Sequence, residues 1–215
     1  MVAVSNKVVK TPRRTVRRQD ADRMTLNEPV LRGRTGERHY CFTVEDYHRL
    51  AELGILKPDE RVELIEGQII MMPPIDISHA QGTHQSQKKI DRKLEDDFDV
   101  RCQQPVNLGL LSEPVPDISV VRQKRYTAHP TVADIVLIVE VANTSLEDDL
   151  SRKKLMYAAS GIREYWVLDV GNRVLHVFSA PKRGDYSRHE VVAEDEMVQS
   201  PTLKALRLNV VELLP

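Results

Sequence analysis

The stretch that decides the fold spans residues 116–169, where charged side chains stand inside apolar segments. Its apolar segments are PDISVV (116–121), DIVLIVEVA (134–142) and EYWVLD (164–169). Each is short and rich in β-branched or aromatic residues, a pattern that predicts a β-strand. The second segment is nearly continuous in its apolar character, as in a strand covered on both faces. Asp117 and Glu140 therefore occupy positions where a plain core would have valine or leucine.

The segment between the last two predicted strands is predicted to be a helix. Asn143, Thr144 and Ser145 supply side chains that can cap its N-terminus, and Gly161 provides a C-terminal stop. Its inward stripe contains Leu150, Tyr157, Ala158 and Gly161. Lys153 and Lys154 both flank that stripe, and helical spacing alone does not separate them. Either ammonium could reach the acids on the neighbouring strands.

The order of elements predicts an α/β fold with a mixed β-sheet flanked by helices, because one helix connects two core strands. The other elements are predicted from caps, turns and periodicity. They are a helix from Thr43 to Gly54, two strands within 61–72 turning at Glu66-Gly67, a polar helix from about His79 to Phe98 capped by Ser78, a strand within 100–111 and a hairpin turning at Gly171-Asn172.

Length and composition are those of one soluble domain with an appendage. The chain has 215 residues, of which 41% are hydrophobic and 29% charged. No apolar run approaches the roughly 18 residues that predict a membrane span, and no secretory signal is recognisable. Cys41 and Cys102 are too few for a disulfide framework or a cysteine-rich zinc site. We therefore expect a cytoplasmic protein without a membrane partner.

Charge is distributed unevenly along the chain. Residues 1–40 hold ten Lys/Arg against four Asp/Glu, a net charge of +6, which leaves −7 for residues 41–215. The first 40 residues also lack periodicity, so they are predicted to be a disordered basic arm preceding a domain over 41–215. Such an arm can bind nucleic acid. The alternative is a solvated leader without a partner.

Asp117 and Glu140 together can form half of a divalent metal site. A carboxylate in a buried strand is costly unless it is paired, neutralised or bound to a metal. If the two strands are neighbours, both acids converge on one point, where Mg²⁺ accepts one or two carboxylates. Glu63, on an earlier strand, is a candidate third acid. The alternative is structural, with Glu140 in a buried ion pair with Lys153 and Asp117 as an ordinary turn residue.

Several segments also carry a family resemblance. They are RVELIEGQIIMMPP (61–74), SHAQ (78–81), PDISVV (116–121), LIVEVANTSLEDDLSRKKLMYAASGIREYWVLD (137–169), RVLHVF (173–178) and the closing SPTLKALRLNVVELL. A Pro-Asp before a strand, followed by an acid in an apolar strand, is similar to the PD-(D/E)xK nuclease superfamily. More closely, the chain from Phe42 to Pro215 resembles the Uma-two family of restriction-endonuclease-like proteins.

The resemblance implies a metal-dependent phosphodiester hydrolase, most simply a DNA endonuclease using Mg²⁺ or Mn²⁺. It implies that Asp117, Glu140 and the backbone carbonyl of Val141 bind the metal, and that Glu63 belongs to the same site. The lysine that the superfamily places two residues after the second acid is absent, because that position is Ala142. The family pattern supplies Lys153 instead, from the following helix.

The resemblance also suggests how a substrate is held. His79 matches a family histidine and is a candidate substrate-binding or supporting residue. Contacts to a DNA backbone are expected from Lys88, Lys89 and Arg92. RNA is the alternative substrate. A homodimer is expected if both strands of a duplex are cut. The competing function is a catalytically silent nuclease-fold module that binds nucleic acid or another partner, although a retired site has no reason to keep buried acids.

Overall fold

The computed structural model of the chain describes residues 30–32 and 38–215. Its strands are β1 (Val30–Arg32), β2 (Arg38–Tyr40), β3 (Val62–Ile65), β4 (Gln68–Met71), β5 (Phe98–Cys102), β6 (Ile118–Arg122), β7 (Ile135–Ala142), β8 (Glu164–Asp169), β9 (Val174–Lys182), β10 (Asp185–Ala193), β11 (Met197–Gln199) and β12 (Arg207–Asn209). Its helices are α1 (Val44–Glu52), α2 (Ile77–Asp91), α3 (Leu146–Asp148) and α4 (Lys154–Ser160), with a π-helical turn at Asp149–Lys153 and a 3₁₀ turn at Val210–Glu212.

A six-stranded sheet with the order β10-β9-β8-β7-β6-β5 forms the centre of the domain. β7 and β8 are parallel, and the other neighbouring pairs are antiparallel. A parallel pair needs a long crossover, which here is the helical segment from α3 to α4. The predicted mixed sheet flanked by helices is thus confirmed, as is the hairpin that joins β8 to β9.

Strand β7 separates two apolar cores because its side chains alternate between the faces of the sheet. Leu137, Val139 and Val141 pack into the cluster that contains α2 and the C-terminal segment. Ile138 and Ala142 pack into the cluster that contains α4. Glu140 points to the same face of the sheet as Ile138 and Ala142, so its carboxylate lies beneath the helical crossover.

The β3–β4 hairpin turns at Glu66-Gly67, as predicted. Both residues have positive φ, 50° for Glu66 and 76° for Gly67, which is the backbone that a tight two-residue hairpin turn requires. A Cβ on Gly67 would lie 2.4 Å from the Cβ of Cys41. Leu64 pairs with Glu113 through an isolated bridge. The hairpin is thereby held against the segment that leads into β6, which fixes the position of Glu63.

Two predicted elements have different boundaries in the structure. Helix α2 ends at Asp91 rather than near Phe98, and Asp76 caps it rather than Ser78. The residues beyond it form β5, which pairs with β6 at the sheet edge. The strand predicted within 100–111 was wrong beyond Cys102, where Gln103 takes a positive φ of 49° and leaves the ladder. The predicted helix after Thr43 is confirmed, and Thr43 and Asp46 form a capping box at its N-terminus.

Most of the predicted N-terminal arm, residues 1–29 and 33–37, lies outside the described residues. The described parts, β1 and β2, form an antiparallel pair. The proposed boundary between residues 40 and 41 stays a prediction. Over the described part of the chain, no helix is both long and apolar enough to cross a membrane.

Candidate active site

A cavity of about 60 Å³ lies where the β3–β4 hairpin, the first turn of α2, the end of β7 and the π-helical turn meet. Its volume is sufficient for several water molecules or a hydrated ion. Its charged or ionisable lining residues are Arg61, Glu63, Asp76, His79, Asp117, Glu140, Asp149 and Lys153. Every residue predicted to bind metal through its side chain, together with Glu63, Lys153 and His79, therefore reaches this one cavity.

Asp117 and Glu140 are joined by backbone hydrogen bonds between neighbouring strands. Asp117 immediately precedes β6, whose first residue faces Val139 of β7. The N–H of Asp117 donates to Glu140 Oε2 at 3.2 Å, and the N–H of Val141 donates to Asp117 Oδ2 at 2.9 Å. In an antiparallel ladder the N–H and C=O of one residue point to the same side. The carbonyl of Val141 therefore faces the segment that carries Asp117.

His79 holds the carboxylate of Asp117 from the first turn of α2. Its Nε2 lies 2.9 Å from Asp117 Oδ2. Burial by itself would raise the pKa of Asp117, but His79 and the N–H of Val141 together hold that pKa below its usual value. The same hydrogen bond raises the pKa of His79, against the opposing effect of burial. Asp117 is thus kept ionised beside a histidine that favours its protonated form.

Glu140 has the opposite character, because it is buried among other acids. Its side chain is 2% exposed. Glu140 Oε1 accepts hydrogen bonds from Lys153 Nζ at 3.1 Å and from the hydroxyl of Tyr157 at 2.9 Å. Burial raises the pKa of Glu140 well above its usual value, and the ammonium of Lys153 only partly opposes the shift. Two adjacent carboxyl groups therefore differ in proton affinity.

Lys153 is the lysine that reaches the acids. Its Nζ lies 3.1 Å from Glu140 Oε1, 3.5 Å from Asp149 Oδ1 and 3.8 Å from Glu63 Oε1. Burial would lower the pKa of Lys153, but the surrounding carboxylates raise it, so the ammonium stays charged. Lys154 points elsewhere and pairs with Asp185 at 3.1 Å. The geometry thus separates the two lysines that helical spacing could not.

Glu63 enters the site from β3 as a buried acid. Its Oε2 accepts the N–H of Val115 at 3.1 Å. Because Val115 lies two residues before Asp117, this bond ties β3 to the segment that delivers the Asp117 carboxylate. Glu63 Oε1 also lies 3.8 Å from the Lys153 ammonium, so this acid belongs to the same charged cluster.

Asp149 is a fourth buried acid, which the sequence reasoning missed. It is 1% exposed, and its Oδ2 accepts the hydroxyl of Ser145 at 2.6 Å. Burial raises the pKa of Asp149, while Lys153 opposes that shift. The signal available in the sequence was an acid four residues before Lys153. The sequence does not distinguish Asp149 from the adjacent Asp148, because acids are common in the first turn of a helix.

The basic residues predicted on α2 do not line the cavity. Lys88 lies nine residues after His79, which corresponds to roughly 13 Å along the helix axis. Lys89 pairs with Glu212 at 2.8 Å, and Lys88 and Arg92 are exposed. The basic side chain that does reach the cavity, in addition to Lys153, is Arg61, which donates to the carbonyl of Pro73 at 3.0 Å.

The donor set fits a hard divalent cation. Four buried carboxyl groups line the cavity, beside the buried ammonium of Lys153 and the imidazole of His79. Asp149 Oδ1 is buried and accepts no hydrogen bond. Carboxylate and backbone carbonyl oxygens are the ligands that Mg²⁺ and Mn²⁺ prefer. Asp117, Glu140 and the carbonyl of Val141 are the donors that the family resemblance implies for such an ion.

Comparisons with known proteins agree with this architecture. A search of curated proteins finds no match. The chain is similar to the crystal structure of "a putative nuclease belonging to DUF820" from Anabaena variabilis, with a TM-score of 0.63 and 18% identity over 80% of this chain and 97% of that chain. At this identity the likeness shows the fold alone. The sequence profile of the Uma2 family, described as "Putative restriction endonuclease", matches residues 44–211. The expected resemblance is thereby confirmed, and the chain belongs to the Uma2 family.

Proposed function

We propose that the chain is a divalent-metal-dependent phosphodiester hydrolase that cuts DNA internally. The observation that carries the proposal is the group of four buried carboxylates around one buried lysine, all lining a single cavity. Such a group is costly to bury unless a cation or a substrate makes use of it. Membership in a family described as restriction endonucleases supports the same function.

Asp117, Glu140 and the carbonyl of Val141 would hold Mg²⁺ or Mn²⁺. When bound, the ion would polarise a phosphate and lower the pKa of a coordinated water. Glu140 has to give up its proton before it can act as a ligand, because burial raises its pKa. His79 keeps Asp117 ionised through its hydrogen bond, so this ligand is ready at neutral pH.

Lys153 supplies the positive charge that the reaction requires of the protein. Its ammonium lies within 4 Å of Glu140, Asp149 and Glu63, and it stays charged despite its burial. A fixed ammonium in a site of low dielectric stabilises the negative charge that develops on a phosphate during attack. Lys153 would also orient the attacking water. Arg61, at the cavity rim, is the residue best placed to bind a neighbouring phosphate of the nucleic acid.

The proposal is tested by nicking of supercoiled plasmid, with single-stranded DNA and RNA as parallel substrates. We expect cleavage that requires Mg²⁺ or Mn²⁺ and that is lost in Asp117→Asn and Glu140→Gln. Asp148→Asn is a matched control, since Asp148 lies one position from the buried Asp149 but pairs with Arg152 at 2.8 Å near the surface. Undiminished cleavage in EDTA, or in Asp117→Asn, would overturn the assignment.

A second function is favoured by one specific feature of the site. In this structure protein donors already satisfy both acids, with Lys153 and Tyr157 on Glu140 and His79 and Val141 on Asp117. Because protein donors bind both of these acids, the arrangement is also compatible with a nuclease-fold module that binds nucleic acid without cutting it. Retention of DNA by the wild type without cleavage, in both Mg²⁺ and Mn²⁺, would select this function.

A further inference from the structure

A second cluster of metal-ligating side chains lies outside the proposed active site. His48 on α1, Glu113 before β6 and His129 in the connection between β6 and β7 present ligand atoms that all lie within 4.8 Å of one another. None of the three lines the cavity that holds Asp117 and Glu140. They line a separate cavity, together with Arg101 and Tyr126.

Within this cluster, the environment of Glu113 is the evidence that a ligand binds. It is 3% exposed, and its Oε1 lies 2.6 Å from His48 Nε2. Its other carboxylate oxygen, Oε2, is buried and has no hydrogen-bond partner. Within the described part of the chain, His48 is the ion-pair partner of Glu113. A buried carboxylate with an unsatisfied oxygen costs free energy unless something else binds it.

Two permanent cations contact Tyr126, which lines this cavity, and both are engaged with other acids. Arg101 donates to Asp99 at 2.9 Å and places its guanidinium 4.3 Å from the centre of the Tyr126 ring. Lys124 pairs with Asp134 at 2.5 Å. The two imidazoles place ligand atoms within 4.8 Å of a Glu113 carboxylate oxygen, and imidazoles are metal ligands as well as hydrogen-bond donors.

We propose that His48, Glu113 and His129 form a binding site for a divalent transition metal of the zinc class. Two imidazoles and one carboxylate are a ligand set that Zn²⁺ accepts with a fourth position open to water. Imidazole donors favour such ions over Mg²⁺, which prefers oxygen ligands. His129 is exposed and His48 is half-exposed, so the open position faces solvent.

Metal binding requires only side-chain adjustment. Tetrahedral ligands about 2.1 Å from Zn²⁺ lie roughly 3.4 Å apart. The His48–Glu113 pair at 2.6 Å has to open slightly, and the widest separation of at most 4.8 Å has to close. The His48 and His129 rings already approach with centroids 6.2 Å apart. Since both histidines are on the surface, their rings can turn without disturbing the core.

The ligands come from three separate parts of the chain, so a bound ion would link them. Glu113 also exchanges backbone hydrogen bonds with Leu64, next to Glu63. A metal here would therefore restrain α1 and the β6–β7 connection against the segment that supports the proposed active site. Because it binds only the folded form, it would raise the melting temperature. This proposal does not rest on the nuclease assignment.

The test is calorimetric titration of the full chain with Zn²⁺ in the presence of excess Mg²⁺, with melting temperature as a second readout. We expect one Zn²⁺ per chain, and an affinity at least about tenfold weaker in His129→Ala and in Glu113→Gln. His129 is exposed, so its truncation does not threaten folding. Co²⁺ in place of Zn²⁺ should give visible absorption in the wild type that His129→Ala loses.

Three control variants locate the binding. His84→Ala removes another exposed histidine. His176→Ala removes one member of a pair stacked on His189, in which Nδ1 of His176 lies 3.1 Å from Nε2 of His189. Asp117→Asn alters the proposed active site. All three should retain the wild-type affinity and stoichiometry. Equal Zn²⁺ affinity in the wild type and His129→Ala would overturn the proposal, as would loss of binding in His176→Ala or Asp117→Asn.

Discussion

At the scale of single residues, adjacent side chains of the same type have opposite environments. Lys153 is 9% exposed and lies among three acids, whereas Lys154 pairs with Asp185 on the neighbouring strand. Asp148 and Asp149 differ in the same way. The sequence alone does not distinguish the two members of such a pair, because helical periodicity does not show which of two adjacent residues faces the core. Their different positions make them matched variants for experiments.

Lys153→Ala should reduce cleavage by about 100-fold or more, because it removes the charge that stabilises the reacting phosphate. Lys154→Ala removes the same side chain one position later and should leave the rate within about threefold of wild type, since its ion pair is near the surface. Initial rates of plasmid nicking at saturating Mg²⁺ measure both. Similar losses in the two variants would contradict the role given to Lys153.

Glu140 should make the metal-free protein less stable as the pH rises. Its folded-state pKa lies above its usual value of 4.5, so folding favours the protonated acid. The stabilisation is complete below the unfolded pKa and is lost as the pH rises through the folded pKa. A tenfold difference in proton affinity between the folded and unfolded chains corresponds to about 1.4 kcal/mol.

The free energy of unfolding of Glu140→Gln, measured by urea in EDTA, should therefore gain on that of the wild type as the pH rises above about 5. The amide that replaces the carboxyl group cannot ionise, so this variant does not lose stability when the buried group of the wild type loses its proton. Saturating Mg²⁺ should reverse the difference, because it binds the carboxylate. Parallel pH curves for the two proteins in EDTA would show that Glu140 does not carry the shifted titration.

At the scale of elements, a π-helical turn places the lysine. Asp149–Lys153 is π-helical between α3 and α4, and both of its end residues are buried. Such turns insert an extra residue into a helix and are frequent at functional sites. No periodicity rule marks one, because the apolar stripe on either side reads as one continuous helix. The sequence therefore predicted a helix here but not the local geometry that buries Asp149 and Lys153 together.

The β3–β4 turn is the element most sensitive to a single added methyl group. Gly67→Ala combines a positive φ of 76° with a Cβ only 2.4 Å from that of Cys41. We expect it to destabilise the fold by about 3 kcal/mol, part from the left-handed backbone and part from overpacking. Gly184→Ala is the matched control, with φ of 81° and no atom within 4 Å, and should cost about 1 kcal/mol.

Chemical denaturation of the two glycine variants separates the steric effect of the added methyl group from the cost of the left-handed backbone. If both lose the same stability, the contact with Cys41 is unimportant and only the backbone angle matters. If Gly67→Ala loses more stability, as expected, Glu63 should also be displaced, because it lies on β3 only three residues before Glu66 of the turn. Cleavage at a temperature where the variant is still folded would report that displacement.

At the scale of the whole molecule, strands and turns were predictable because their signals are local. The run around Glu140, the Glu66-Gly67 turn and the Gly161 stop each specify their own geometry. The length of α2 was not predictable, because β5 exists only through pairing with β6 and packing of Phe98 and Val100 on the core. Lys88 and Arg92 illustrate the same limit for the site, since which end of α2 faces the cavity follows from how the helix packs.

The uneven charge of the chain leads to a prediction about DNA binding. Residues 1–29 contain seven Lys/Arg and three Asp/Glu, a net charge of +4 on a chain whose total is −1. If these residues contact phosphates, a chain that starts at Val30 should bind a short duplex more weakly. Its plot of log K against log salt should also be shallower, by about 0.9 for each phosphate that is no longer neutralised. Fluorescence anisotropy in EDTA measures binding without cleavage.

A control variant separates charge from length in this experiment. Arg13, Arg14, Arg17 and Arg18 replaced by Gln keep the full chain but remove four positive charges. This variant should bind with a slope between those of the wild type and the shortened chain, because counterion release depends on the number of phosphates neutralised. Identical slopes in all three proteins would assign the whole electrostatic attraction to the domain, and Arg61 would then be the first cation to replace.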